Sequence, residues 1–470
     1  MDFSKEFGLA AQVIEKDYVL GWLLAGISQH AVLGSEWVFK GGTCLKKCYF
    51  ETYRFSEDLD FTINSPDHLD EGFLKTAFQE IAGWIYDTTG IQVPPETVRF
   101  EVYNNPRGVP SVQGRIGYRG PMMRGGDFPR IKLDLTNDEV LVLDAVSREV
   151  HHPYSDGPED GIHVQAYSFE EVFAEKIRAL AERERPRDLY DVVHLYRHTD
   201  MRPDRAIVLS TLEKKCAFKG IAIPTMVSLE REPARAELEA EWENMLAHQL
   251  PALPPFDQFW QELPQVFEWL HGAEERTAPP AMPIAAGEDA AWRPPVMAQA
   301  WHAQVPLEVI RFAAANRLCV DLRYNGSSRI IEPYSLRRTK DGNLLLHAVK
   351  HSTGDARSYR VDRIQGATVT KLAFEPRYVI ELSETGPIHA PQTVKPASGN
   401  RISRSAARPG RSRGSSWGMS ANVGPQYVFE CTLCGKKFTR KTYTATLNPH
   451  KDKNGYPCYG RVGMYIDTKY

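Results

Sequence analysis

Two aspartates one residue apart, Asp58 and Asp60, stand between the apolar residues Leu59 and Phe61, and this pattern constrains the chain more than any other. In an extended strand successive side chains alternate faces, so the two carboxylates share one face while Leu59 and Phe61 bury on the other. Like charges held that close repel, and a hard cation bridging them is the usual resolution. Just upstream, Lys40-Gly41-Gly42-Thr43 joins paired glycines to a hydroxyl residue, where backbone amides approach a phosphate closely. The competing reading is an acidic strand end after a surface turn. It fits less well, because an apolar frame is a costly place to leave two unpartnered charges.

At 470 residues the chain exceeds one ordinary domain and reads as roughly two to four. Its 42% hydrophobic content is enough for real cores, and its net charge of -3 predicts no overall attraction to nucleic acid, so any such binding must come from local basic patches. No apolar run approaches the roughly 18 residues of a membrane helix. The start of the chain, with Asp2, Lys5, Glu6 and a short apolar stretch from Leu9 to Val13, lacks a signal peptide's long apolar core. A cytoplasmic protein is expected. Among the cysteines, Cys44, Cys48, Cys216 and Cys319 are scattered while Cys431, Cys434 and Cys458 cluster, a pattern of reduced thiols plus one metal site.

Apolar spacing predicts one or two helices from Phe7 to His30, interrupted by Glu15-Lys16-Asp17. Strand, turn, helix and strand then run from Trp37 to Phe61, followed by a turn and helix over Ser65 to Gly90. Val98 to Tyr103 and Val112 to Tyr118 alternate as strands. In Arg130 to Thr136, Ile131, Leu133 and Leu135 share one face and leave Lys132 with Asp134 on the other. Asp134 is thus a third carboxylate for the face of Asp58 and Asp60 if the strands are neighbours, or otherwise part of an ordinary amphipathic edge. Ser168 N-caps a helix to Leu180, with Glu171 placed as in a capping box and Phe169, Val172, Phe173, Ile177 and Leu180 as its stripe. Lys176 at the stripe's edge reaches a phosphate or snorkels. In Arg185 to Val193, Pro186 suits a helix start, and Asp188 and Asp191 suit its dipole without any catalytic role. Further helices follow to Gly272, broken at Pro224, Pro233, Pro251 and Pro254-Pro255.

Four segments in this half resemble the successive motifs of the AbiEii/AbiGii-type nucleotidyltransferase toxins of type IV toxin-antitoxin and phage-defence systems. They are Lys40 to Thr43 with Arg54 to Phe61, Lys132 to Asp134, Glu171 to Leu180, and Arg187 to Asp191. Glu15-Lys16-Asp17-Tyr18 also resembles the family's first helix. The resemblance implies an α+β architecture: a polymerase-β-like nucleotidyltransferase domain over residues 1–275 with a helical half. It implies that Asp58 and Asp60 hold Mg²⁺ against a nucleoside triphosphate and that Asp134 is a further Mg²⁺ ligand that helps deprotonate an acceptor hydroxyl. Lys40, Gly41, Gly42, Thr43, Ser56 and Lys132 would bind the nucleotide, Lys176 would neutralise phosphate charge, and Asp188 and Asp191 would complete the catalytic set. An RNA acceptor, tRNA first among the candidates, and a cognate antitoxin are the implied partners, with no membrane. Thr43 stands where many members carry Ser, and the roles of Glu171 and Glu175 stay open.

Beyond a Pro/Ala-rich linker at 276–302, Val305 to Asn316 reads as a helix. Alternating strands follow over Cys319 to Tyr324, Ile330 to Leu336, Leu344 to Val349 and Arg357 to Ile364. This order resembles a WYL domain over 303–384, a small Sm-like β-barrel, although Leu344-Leu345-Leu346 replaces its signature tripeptide. Tyr324, Arg329, Arg357 and Arg360 line a ligand groove or form a solvated face. Residues 385–426 make a basic flexible linker carrying Lys395, Arg401, Arg404, Arg408, Arg411 and Arg413. In the tail at 427–470, Cys431, Cys434, His450 and Cys458 supply four ligands suited to tetrahedral, structural Zn²⁺, a zinc finger. Lys436, Lys437, Arg440 and Lys441 accompany it. The expected function is therefore an Mg²⁺-dependent nucleotidyltransferase acting as a toxin or defence effector. The alternative is a WYL and zinc-finger regulator whose transferase-like half is a non-catalytic scaffold.

Overall fold

The computed structural model describes residues 11–50, 54–123, 125–198, 203–231, 234–272, 279–289 and 307–383, and in the tail 426–431, 434–440, 444–448, 450–451, 457–458 and 462–469. The chain divides into two compact units, Met1–Lys395 and Pro396–Tyr470. The basic linker positions Lys395 to Arg413, Lys441 and the residues before Ala11 lie outside the described residues.

The first described element is the helix α1 (Ala11–Gln29). The charged run inside it does not break the helix because each acid has a partner. Asp17 meets Lys47 Nζ at 2.8 Å, and Glu15 accepts from the Met122 amide at 2.7 Å. Next come β1 (Trp37–Lys40), the short helical turn α2 (Gly41–Cys44) and β2 (Asp58–Ile63). After α3 (Glu71–Thr89), capped by Asp70 and stopped by left-handed Gly90, the chain forms β3 (Val98–Asn104), β4 (Pro110–Gly117), β5 (Arg130–Thr136), β6 (Val146–Glu149) and β7 (His163–Ala166). The seven strands form a single sheet in the order β3-β4-β5-β2-β1-β7-β6. Strand β2 runs antiparallel to β1 and parallel to β5. Leu59, Phe61, Ile131, Leu133 and Leu135 all bury in the core, which leaves the acidic positions on the opposite face.

The helical half begins with α4 (Phe169–Arg183), whose Ser168 cap accepts from the Glu171 amide. The Glu171 carboxylate does not return to the cap. It accepts from the Val142 and Leu143 amides and meets Lys215 at 2.6 Å, because a buried carboxylate gains more from an ammonium and two amides than from a single N–H. Helices α5 (Pro186–Arg197), α6 (Arg205–Lys219), α7 (Ala234–Leu246) and α8 (Phe256–Leu270) follow. Their breaks fall near the prolines expected from sequence, whereas Pro264 sits inside α8. The buried stripe Phe259, Leu263, Val266, Phe267 and Leu270 outweighs the hydrogen bond that Pro264 removes.

Still in the first unit, α9 (Leu307–Ala315) precedes five strands: β8 (Leu318–Tyr324), β9 (Ser327–Arg338), β10 (Leu344–Lys350), β11 (Ala356–Arg360) and β12 (Ile364–Ala373). They pair antiparallel in the order β11-β10-β9-β8-β12. The segment read as one strand from Arg357 to Ile364 is broken at Val361–Arg363 by a helical turn that buries Val361. No ladder joins β11 to β12 among the described residues, so the closure expected of a barrel is not shown. Part of the expected linker is also built into this sheet. Met282 is buried, Arg337 donates to the Met282 and Pro283 carbonyls, and Glu288 Oε1 lies 2.7 Å from His347 Nε2.

In the second unit, β13 (Gln426–Cys431) lies between β14 (Lys437–Arg440) and β17 (Gly463–Lys469), while β15 (His450–Lys451) pairs with β16 (Pro457–Cys458). Phe429, Cys431, Leu447 and Cys458 make its small core.

Candidate active site and metal centre

The turn after β1 is closed over side chains at both of its glycines. Gly41 has φ of 79°, and a Cβ there would lie 2.2 Å from Asp60 Oδ2; at Gly42 it would lie 2.5 Å from an Arg54 guanidinium nitrogen. Both glycines therefore let the turn close over two functional side chains. Thr43 is buried and donates its hydroxyl to the Asp58 carbonyl, which pins the turn to the start of β2. Lys40 ends β1 beside this turn, 4.0 Å from Glu139. Ser56 is half-buried in the segment leading into β2.

The parallel register places Asp60 directly opposite Asp134 and Asp58 opposite Lys132. Three carboxylates thus occupy one face of two adjacent strands. Burial, then the nearby Asp134 and Asp58 charges, push the Asp60 carboxyl up to about 6 against the opposing pull of Lys40 and Lys176. Burial likewise raises Asp58, with Lys132 and Lys16 opposing. Asp134, 30% exposed, takes Lys132 Nζ at 2.8 Å. A face on which Asp58 and Asp60 resist ionising fits a hard divalent cation, whose charge would relieve the repulsion.

Behind this face lies a buried ion network. Arg54, 3% exposed, grips Asp191 with Nε and a terminal nitrogen, each at 2.8 Å. Its other terminal nitrogen donates to Gln249 Oε1 at 3.0 Å. Lys176 reaches Asp191 Oδ2 at 2.6 Å and Asp188 Oδ1 at 3.5 Å, and Arg183 also holds Asp188 at 2.8 Å. Burial favours a protonated Asp191, but Arg54 and Lys176 outweigh it and hold the carboxyl well below the usual range. Lys176 therefore neither snorkels nor hangs free; it is locked between two acids. Glu175 similarly takes Arg178 at 2.6 Å and Lys215 at 3.3 Å, which ties α4 to α6. Arg54 is the residue sequence reasoning left without a role. Its place inside the Arg54 to Phe61 motif was the available signal.

In the tail, Cys431, Cys434, His450 and Cys458 present ligand atoms within 4.8 Å of one another. Cys431 Sγ lies 3.8 Å from Cys458 Sγ, and Cys434 Sγ lies 3.4 Å from His450 Nε2. Bond lengths around zinc predict ligand separations of about 3.8 Å between sulfurs and about 3.5 Å from sulfur to nitrogen in a tetrahedron. His450 Nδ1 lies 2.9 Å from the Asn448 carbonyl, an arrangement that leaves Nε2 as the ligand. The cluster is compatible with a zinc-finger tail.

On the five-stranded sheet, the Arg329 guanidinium lies over the rings of Tyr324 and Tyr359, 5.5 and 5.8 Å from their centres. Tyr324 Oη also accepts from the Arg360 amide at 3.3 Å. Arg357 and Arg360, expected in the same groove, pair with Asp355 and Asp362 at 3.2 and 2.7 Å.

Over residues 22–262 the chain matches the family described as nucleotidyl transferase AbiEii toxin, Type IV TA system, and over residues 306–369 it matches the WYL domain. No curated protein matches the chain. The crystal structure of JHP933 from Helicobacter pylori is similar at 15% identity and a TM-score of 0.37, over 56% of this chain and 94% of that one. The proteasome accessory factor B/C (PafBC) of Arthrobacter aurescens is similar at 13% identity and a TM-score of 0.15, over 79% of this chain and 74% of that one. Among the described residues, no helix is long and apolar enough to cross a membrane.

Proposed function

Because this chain belongs to the AbiEii family of nucleotidyl transferase toxins, we propose that it transfers a nucleotide from a nucleoside triphosphate to an RNA hydroxyl, tRNA being the first acceptor to test. The observation that carries this reading is the register that sets Asp134 beside Asp60 on parallel strands. On a polymerase-β-like fold, Asp58, Asp60 and Asp134 would hold Mg²⁺, which supplies charge neutralisation at the reacting phosphate. In the reaction the acceptor oxygen bonds to the α-phosphorus, the α–β phosphoanhydride breaks, and pyrophosphate leaves. Asp134, at the exposed rim, accepts the hydroxyl proton. The Gly41 and Gly42 amides face phosphate, and Lys40 with Lys132 balances its charge, while Ser56 lines the approach. Thr43 shapes the turn through its bond to Asp58. Lys176, Asp188 and Asp191 act through position, holding Arg54 and α5 against the turn. We assign the protein a cognate antitoxin as its physiological partner.

The test is direct: full-length protein with Mg²⁺, each labelled nucleoside triphosphate and total tRNA is expected to move label onto RNA. Absence of labelling with every nucleotide would reject the transferase reading in favour of a scaffold.

The WYL domain supplies regulation in this reading, with Tyr324 and Arg329 as its ligand-facing pair. Zinc in the tail would stabilise a unit too small to bury an adequate core. Purified chain is expected to carry about one zinc, and a chelator should open residues 427–470 to protease while sparing the first unit. A zinc content near zero would reject the metal centre.

A further inference from the structure

Arg187, in the first turn of α5, is the cation near the carboxylate face that the network leaves unspent. Its residue is half-buried, and its Nε is buried with no hydrogen-bond partner among the described residues. Glu57, Asp58 and Asp191 lie within electrostatic reach, as does the repelling Arg54. Yet none of the three acids forms an ion pair with it: Glu57 takes Lys16 at 2.8 Å, and Asp191 is already held by Arg54 and Lys176. An unbonded guanidinium nitrogen is costly to bury, and a neighbouring arginine raises that cost. A planar fork of donors matches the oxygens of a phosphate in a way that a point charge does not.

We propose that Arg187 is a phosphate-binding residue that clamps the triphosphate of the incoming nucleotide at the Asp58 side of the site. This rests on the transferase reading for the identity of the ligand. The arginine contributes donors and charge to substrate binding and takes no part in bond making. Its unpaired state before binding keeps those donors available, since no protein ion pair has to break first.

Inorganic tripolyphosphate with Mg²⁺ is the probe, because it carries the phosphate chemistry without requiring the base to be known. Full-length wild type is expected to bind it, Arg187→Gln to bind roughly tenfold or more weakly, and Arg187→Lys to fall between. Ligand-free Arg187→Gln should melt no lower than wild type, since the substitution removes repulsion from Arg54; a clear drop would assign Arg187 a structural role instead. Equal tripolyphosphate binding by wild type and Arg187→Gln, or none by wild type, overturns the proposal. If Arg187→Gln instead raises only the KM for RNA, the anion is an acceptor phosphate and the assignment to the nucleotide fails. Arg187-dependent binding without transfer to any RNA would refute the transferase reading and leave the anion site standing.

Discussion

Asp60→Asn is expected to lower nucleotidyl transfer by roughly 1,000-fold or more, the scale of several kcal/mol of lost charge stabilisation at the reacting phosphate. The same substitution should stabilise the metal-free protein at neutral pH. Asp60 is pushed from 3.8 up to about 6, so the folded state binds its proton more tightly than the unfolded chain does. Stability therefore falls as pH rises from about 4 to about 6 and stays lowered above it. The full difference would be about 3 kcal/mol, and solvent access to the half-buried residue reduces it to about 2 kcal/mol. Denaturant curves in a chelator should show the Asn variant ahead of wild type at pH 7 and level with it near pH 4. A variant that transfers normally, or one that is weaker at pH 7, would remove Asp60 from the site.

The second large effect is in stability. Asp191→Asn leaves Arg54 and Lys176 buried without their shared counter-charge, and breaking such a pair costs about 3–5 kcal/mol. The sign with pH is opposite to that of Asp60. A carboxyl held below its unfolded value stabilises the fold above about pH 4 and loses that contribution as pH falls further, so the deficit of the variant should shrink in acid. Transfer should fall with stability, because Arg54 packs against Gly42 and a displaced guanidinium disturbs the turn over Asp60. Replacing both partners by apolar residues, Arg54→Met with Asp191→Leu, should recover part of the lost stability in urea titrations. A single-variant loss under about 1 kcal/mol would mean that the network is not what joins the segment before β2 to α5.

These two substitutions separate two kinds of carboxylate that look alike in the sequence. Asp60 and Asp191 both sit in short acidic motifs, and the resemblance assigned both to the site. One shares its face with two other acids and is pushed up; the other is gripped by two cations and held down. The difference comes from partners, and partners distant in sequence are invisible to local pattern. Arg54 illustrates this best: its motif was plain, but its contact with Asp191 spans 137 positions. The N-cap at Ser168 was legible, while the destination of Glu171 was not, because Lys215 and the amides at Val142 and Leu143 arrive from other segments.

The sequence by itself determined which faces the key residues occupy. Strand periodicity sets Asp58 with Asp60 and Lys132 with Asp134, the paired glycines Gly41-Gly42 mark a turn where backbone amides can approach a phosphate, and the Cys-x-x-Cys spacing with His450 and Cys458 marks the metal-ligand cluster. Those are local properties of backbone geometry and residue chemistry. Only the tertiary structure decided that β2 and β5 are parallel neighbours in a register that sets Asp134 against Asp60, that Lys176 is spent on Asp191, and that Arg187 Nε is buried without a hydrogen-bond partner among the described residues. Strand alternation specifies a side and not a neighbour, and buried charges choose partners by what global packing brings within reach.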